Sequence, residues 1–225
     1  MRKISKTVAA ILVYIMCAYG YLTTKGFVFD GHNFILSNNA EASENVQFSV
    51  SSERVRALGD DNAPLTMYIF SAMTCSHCQD FHKFILPKLE RDFISKGLLR
   101  FMYIHFPSDE TTMRAAKLSY CVPKDKFYDF ITDLYDNRDW RFTPDETKLE
   151  NHAKKFGLTD GAITNCKEDK KLTSDILLMR NSAYTEFNIT VTPTIVIESA
   201  NGRKVMNAKT YDELKQYIES LIKGE

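Results

Sequence analysis

The chain lacks an excess of charge of either sign. Its 29 lysines and arginines balance 29 aspartates and glutamates, so the formal net charge at pH 7 is zero. A nucleic-acid-binding surface needs a basic excess, and none is present. No internal repeat or low-complexity segment occurs, and 44% of the 225 residues are hydrophobic. The composition predicts a globular protein with a sizeable core and no nucleic-acid partner.

Long hydrophobic runs are also scarce, and the mean hydropathy of −0.28 argues against a polytopic membrane protein. One apolar run, Val8 to Leu22, follows the basic residues Arg2, Lys3 and Lys6. This order is typical of a secretory signal peptide. The run is short for a spanning helix, which needs about 20 residues. We expect residues 1–22 to be an export signal, with an uncleaved anchor as the alternative.

Residues 23–52 are polar and show no period, so we expect a tether. A short helix is predicted from Glu53 to Leu58. The continuously apolar or β-favouring run from Leu65 to Phe70 predicts a strand buried on both faces. A helix with a kink at Pro87 and a second strand from Leu98 to Phe106 follow. This order predicts a βαβ unit with parallel strands.

The pattern of the second half of the chain predicts helices first and strands after them. Residues 109–188 show helical periodicity and form a predicted helical insertion. Ile189 to Ile197 is rich in β-branched residues, a hairpin follows, and Tyr211 to Ile222 has the pattern of an amphipathic helix. The fold class is therefore α/β, with a thioredoxin-type core (53–108 and 189–225) split by an α-helical domain.

Cysteine is sparse, with five residues in the chain. We interpret Cys17 as an apolar residue of the export signal. The remaining four are an even number in an exported chain, which indicates two disulfides. Cys75 and Cys78 stand where the buried strand ends and the helix begins. The unpaired N–H groups of a helix start stabilise a thiolate, so Cys75 should ionise below the ordinary cysteine pKa.

Two neighbouring features complete the candidate redox site. The His77 imidazole can donate toward the Cys75 sulfur and stabilise the reduced form; otherwise His77 is an exposed turn residue. Thr192-Pro193 lies in a β-rich run, where proline is disfavoured unless it has a particular role. In a thioredoxin-type core, a cis proline lies beside the dithiol, and the residue before it offers its backbone to the substrate.

A metal site is the alternative interpretation of the cysteine pair. Cys75, Cys78 and His82 could act as ligands, but zinc usually takes four ligands from two chain segments. His32, His105 and His152 occur singly. We therefore predict no metal and no cofactor, and we expect His82 to be a surface residue of the helix. A copper- or zinc-binding module remains the competing class of function.

With these features, the chain resembles the DsbA family of thiol:disulfide oxidoreductases, particularly its alphaproteobacterial branch. The matching features are Gly59-Asp60-Asp61-Asn62-Ala63-Pro64, Cys75-Ser76-His77-Cys78, Phe81-His82, Leu86-Pro87, His105-Phe106-Pro107, Cys121, Cys166 and Thr192-Pro193-Thr194. The resemblance implies a periplasmic enzyme in which Cys75 is the nucleophile and Cys78 resolves. It further implies substrate contacts at Thr192, Pro193 and Ser76, reduced exported polypeptides as substrates, and a membrane reoxidant similar to DsbB.

Three residues depart from the commoner pattern of that family. Ser76 replaces a proline, Ile69 replaces a buried acid that shuttles protons, and Thr192 is more typical of the isomerase branch. Oxidase and isomerase or reductase therefore remain open. We also expect a structural disulfide between Cys121 and Cys166, the alternative being two buried apolar cysteines. No heptad pattern occurs in the tether, so we expect a monomer.

Overall fold

The computed structural model describes residues 27–29, 34–36, 47–141, 145–206 and 210–224. The expected export signal, with Cys17, and most of the expected tether lie outside this part of the chain. The chain divides after Val46 into two units. In the first unit, strand β1 (Phe27–Phe29) pairs antiparallel with β2 (Phe34–Leu36), so the stretch expected to be a tether contains a pair of short strands.

The second unit is built on a five-stranded sheet. Its strands are β3 (Ala57–Leu58), β4 (Leu65–Ser71), β5 (Leu99–His105), β6 (Thr194–Ser199) and β7 (Gly202–Met206), in the order β3-β5-β4-β6-β7. The central pair β4 and β5 is parallel, as predicted from the βαβ pattern. The other neighbours pair antiparallel. In β4 and β5 every residue but the second is buried, because both faces of these strands are covered.

Helix α1 connects β4 to β5 and spans residues 76–94. It alternates between α-helical turns (Ser76–Asp80, Leu86–Leu89) and π-helical turns (Phe81–Ile85, Glu90–Ile94). We expected a kink at Pro87. The helix widens just before this proline, where the Leu86 N–H bonds the Phe81 carbonyl oxygen five residues earlier. Proline lacks an N–H and disturbs a regular α-helix, and such π turns are one way to accommodate it.

The remaining helices follow β5 and β7. They are α2 (Glu110–Cys121), α3 (Phe127–Asp136), α4 (Thr147–Lys155), α5 (Asp160–Glu168), α6 (Lys170–Phe187) and α7 (Tyr211–Lys223), with a 3₁₀ turn at Lys124–Lys126. Asp109 and Thr112 form a capping box that starts α2. The Phe127 ring lies 6.2 Å from the Tyr103 ring of β5, so the inserted helices share a core with the sheet. The predicted fold class, a thioredoxin fold with a helical insertion, is confirmed.

Two local predictions near the start of this unit are wrong. Residues 53–58 do not form a helix, because Ala57 and Leu58 pair with Met102 and Phe101 at the edge of the sheet. A six-residue helix has little stability of its own, so this pairing prevails. The stretch of 23–52 also ends in the core: Phe48 is buried and packs edge-on against Tyr68 and Phe70.

Among the described residues, no helix has both the length and the apolar character needed to cross a membrane.

Candidate active site

The two cysteines of the motif lie at the start of α1, directly after β4. Cys75 is the N-cap residue, with the extended backbone angles φ −77° and ψ 126°. Its N–H donates to the Ala72 carbonyl oxygen at 3.0 Å, and this turn directs the chain from the strand into the helix. Both cysteines are free thiols. Cys75 is half-buried, whereas Cys78 has only 1% of its surface exposed.

The sulfur of Cys75 lies in a field that favours the thiolate. A hydrogen bond with the Cys78 thiol is the largest cause, and the backbone N–H groups of Cys78 and His77 add to it, so the pKa of Cys75 is lowered to about 5. Ser76 and His77 are both exposed. His77 acts on this sulfur through its backbone N–H, and the role expected for its imidazole stays a prediction. A thiolate at neutral pH is the nucleophilic form of cysteine.

Cys78 has the opposite character. Burial raises its pKa well above the ordinary cysteine value, because a charge on this sulfur would lie in a low-dielectric interior. A hydrogen bond with the Ser71 hydroxyl and one with the Ala72 backbone oppose this rise. The pair therefore consists of one accessible sulfur that ionises easily and one enclosed sulfur that remains a thiol.

The Thr192-Pro193 peptide is cis, as the resemblance implies. The Thr192 carbonyl oxygen lies 3.4 Å from the Cys75 sulfur, so the two motifs meet although they are 117 residues apart. The Thr194 hydroxyl donates to the Val191 carbonyl oxygen at 2.7 Å and closes this loop. Strand β6 begins at Thr194, so Pro193 precedes the strand rather than interrupting it, which corrects the predicted strand from Ile189.

His82 is not the surface residue that the helical pattern predicted. It is buried, its Nε2 lies 2.8 Å from the Thr132 hydroxyl, and burial lowers its pKa to about 4. The covering residues come from α3, which the sequence pattern of α1 alone does not reveal. Within the described ranges, no group of three or more histidine, cysteine, aspartate or glutamate side chains could hold a metal ion.

Sequence reasoning missed three buried hydroxyl groups beside Cys78. The Ser71 hydroxyl lies 3.0 Å from the Tyr135 hydroxyl, which lies 2.8 Å from that of Tyr103. These residues come from β4, α3 and β5. Ile69, at the position where the family has an acid, is buried in β4. No spacing in the sequence links the three hydroxyls, because each belongs to a different element.

Cys121 and Cys166 are joined by a disulfide in the helical insertion. Cys121 ends α2 and Cys166 lies in α5, so the bond links two helices that are 45 residues apart in sequence. The sulfur atoms belong to the insertion and are separate from the Cys75 and Cys78 motif.

Comparison with known proteins agrees with this geometry. Residues 51–220 match the model of a family described as thioredoxin. Disulfide bond formation protein D of Bacillus subtilis (strain 168) is 29% identical over 181 residues, which cover 75% of this chain and 77% of that protein. In Wolbachia pipientis, alpha-DsbA1 has a similar structure, with a TM-score of 0.68, 26% identity, and coverage of 78% of this chain and 97% of that one.

BdbD from Bacillus subtilis, solved in its oxidised form, is also similar, with a TM-score of 0.65 and 27% identity over 79% of this chain and 97% of that one. Fold, paired cysteines and relatives together define an enzyme that exchanges thiols and disulfides in proteins. The chain belongs to the thioredoxin family and, within it, to the DsbA-type thiol:disulfide oxidoreductases.

Proposed function

We propose that this protein introduces disulfides into exported polypeptides, with Cys75 and Cys78 as the redox pair. The observation that carries the proposal is the asymmetry of the pair. Cys75 is half-buried with a pKa lowered to about 5, chiefly by its hydrogen bond with Cys78, and Cys78 is enclosed with a raised pKa. A reduced form that holds a stabilised thiolate makes the corresponding disulfide a stronger oxidant.

In the oxidised enzyme, a substrate thiolate attacks the Cys75 sulfur, the Cys75–Cys78 bond breaks, and Cys78 leaves as a thiolate. A second substrate thiolate then attacks the substrate sulfur of the mixed disulfide, and Cys75 leaves as a thiolate. Two electrons pass from the substrate sulfurs to the enzyme sulfurs. Of the two protons that the substrate thiols lose, one is taken up by Cys78 and one goes to solvent. A leaving thiol of low pKa leaves faster, which suits Cys75 to the second step.

The surroundings of Cys75 support a substrate-docking role for the cis-proline loop. The Thr192 carbonyl oxygen lies 3.4 Å from the Cys75 sulfur, so a substrate chain that aligns with Thr192 and Pro193 brings its own sulfur to Cys75. Ser76 is exposed beside it and completes the contact. His77, also exposed, contributes its backbone N–H to the Cys75 thiolate.

The proposal includes a location and partners. The protein acts in the periplasm, where residues 1–22 deliver it and either are removed or remain as an anchor. It works as a monomer on reduced exported polypeptides, and a membrane protein similar to DsbB reoxidises it. Cys121–Cys166 is a structural disulfide that does not exchange during turnover. No metal or cofactor takes part.

The test is oxidation of reduced, unfolded ribonuclease A by the oxidised protein. We expect two substrate thiols to disappear for each protein molecule, and none with the Cys75→Ser variant. Recovery of active ribonuclease from its scrambled form, without net oxidation of the reduced form, would instead identify an isomerase. Absence of both reactions, together with copper(I) binding by the cysteine pair, would overturn the redox assignment in favour of the metal-binding module.

A further inference from the structure

The leaving step at Cys78 creates a charge in an unfavourable place. When the Cys75–Cys78 bond breaks, the electron pair remains on a sulfur that has 1% of its surface exposed. Water cannot solvate this thiolate from outside, and an unpaired charge in such an interior is costly. A hydrogen-bond donor next to the sulfur would stabilise the charge at the moment it forms.

The side chain best placed for this task is Ser71, the last residue of β4. It is buried, its hydroxyl is close enough to the Cys78 thiol to oppose the rise in the pKa of that thiol, and it lies 3.0 Å from the Tyr135 hydroxyl. Tyr135 in turn lies 2.8 Å from the Tyr103 hydroxyl. Each hydroxyl can donate and accept at once, so the hydrogens of this chain can all point toward the sulfur.

We propose that the Ser71 hydroxyl, held by Tyr135 and Tyr103, donates a hydrogen bond to the Cys78 sulfur while that sulfur leaves as a thiolate. In this role Ser71 is a catalytic residue, because its hydroxyl acts on the leaving sulfur, and the two tyrosines are positioning residues. No proton need cross the chain: the oxygens keep their hydrogens, and Cys78 afterwards takes up the proton that becomes available when the substrate thiol ionises. The inference rests on Cys75 and Cys78 being the redox pair.

The groups around Cys78 agree with a hydroxyl rather than a charged partner. Cys75 faces it from the start of α1, and Tyr103 and Tyr135 are close enough for a thiolate at Cys78 to raise their pKa values, although burial is the larger cause. Two histidines lie beyond these tyrosines. The ring centre of His82 is 5.2 Å from that of Tyr135, and the ring centre of His105 is 5.0 Å from that of Tyr103. Burial lowers their pKa values to about 4 and about 3, so both are neutral at pH 7.

This role makes a kinetic prediction that a merely structural role does not. At pH 7 the reduced enzyme carries Cys78 as a thiol, because burial raises its pKa. The donated hydrogen bond is therefore strongest in the transition state for the departure of Cys78. Its loss slows this step and the reverse step by the same factor. A charge-assisted hydrogen bond that is about half formed in the transition state corresponds to roughly a 3- to 10-fold change in rate.

The experiment compares the parent protein with Ser71→Ala, Ser71→Thr and Tyr135→Phe. The rates, both at pH 7, are reduction of the oxidised protein by dithiothreitol, in which Cys78 leaves, and release of glutathione from the isolated Cys75–glutathione mixed disulfide, in which Cys78 attacks. We expect Ser71→Ala to slow both by about 3- to 10-fold, Tyr135→Phe to lie between it and the parent, and Ser71→Thr to restore the rate. The equilibrium constant against glutathione should remain within twofold, or about 9 mV for a two-electron couple.

Two matched controls remove hydroxyls elsewhere. Ser182→Ala removes another buried serine, and Tyr120→Phe removes a buried tyrosine hydroxyl that has no hydrogen-bond partner among the described residues. Both should exchange at the parent rate. Alkylation of Cys75 by iodoacetamide, which does not involve the departure of Cys78, should remain within twofold in every variant.

Parent rates for Ser71→Ala would overturn this inference alone. So would slower exchange accompanied by a more than twofold change in the equilibrium constant or in Cys75 alkylation, since that pattern indicates a general disturbance. Failure of the parent protein to exchange with dithiothreitol would overturn the proposed redox pair, and this inference with it.

Discussion

Removal of the Cys121–Cys166 disulfide should lower the free energy of unfolding by an amount that follows from chain entropy. The bond closes a loop with a sequence separation of 45 residues. The loop-entropy relation then gives an entropy change of about 13 cal/mol/K, or about 4 kcal/mol at 25 °C. For a domain of about 150–250 residues, each kcal/mol shifts Tm by about 2–4 °C, so the expected fall is about 8–16 °C.

The assay is thermal unfolding followed by circular dichroism. The variant is the double substitution Cys121→Ala with Cys166→Ala, which avoids placing a new hydroxyl at the buried Cys166 position. A Cys75→Ala, Cys78→Ala protein isolates the same disulfide, and dithiothreitol should lower its Tm by a similar amount. Dithiothreitol should not change the Tm of a protein in which Cys75, Cys78, Cys121 and Cys166 are all alanine. A fall of less than about 3 °C in the double variant would refute the reasoning.

Three further predictions follow from burial and ionisation. The rate of Cys75 alkylation by iodoacetamide should rise with pH around a midpoint near 5, because the hydrogen bond with Cys78 lowers this pKa; a midpoint above about 7.5 would contradict the assignment. Phe48→Ala should lower the free energy of unfolding measured in urea by about 3–5 kcal/mol, since Phe48 is buried, whereas Phe84→Ala, at a side chain 63% exposed, should have little effect. The free energy of unfolding should fall as the pH falls from about 6.5 to 4, because burial lowers the pKa of His82 to about 4. The unfolded chain binds more protons than the folded one in this window, and the full loss of unfolding free energy is about 3 kcal/mol. His82→Gln should reduce that loss in urea unfolding measured at each pH, and an unchanged pH dependence would show that His82 is not the group responsible.

The sequence predicted the parts of the fold that depend on local patterns. The apolar run from Leu65 and the one from Leu98 became the central parallel strands, because a strand buried on both faces needs a continuous apolar run. The last helix, Tyr211–Lys223, follows its amphipathic pattern within one residue. The meeting of Cys75 and Thr192 was expected only from the thioredoxin-type core, in which a cis proline lies beside the dithiol, since 117 residues separate them.

The parts that sequence reasoning missed depend on contacts between distant segments. His82 has the helical position of a surface residue, and only its covering by α3 buries it. Phe48 follows a polar stretch without period, and no local signal shows that it enters the core. Ser71, Tyr103 and Tyr135 come together only after the sheet and the insertion have packed. Tertiary packing decides such cases, and a single sequence carries no periodic signal for them.

The reduction potential of the Cys75–Cys78 pair tests the central claim most directly. It should be measured against a glutathione buffer with the Cys121–Cys166 disulfide intact. A stabilised Cys75 thiolate predicts a value of about −120 to −180 mV, at the oxidising end of the range known for such proteins. A value of about −270 mV would contradict a donor of disulfides and identify a reductase.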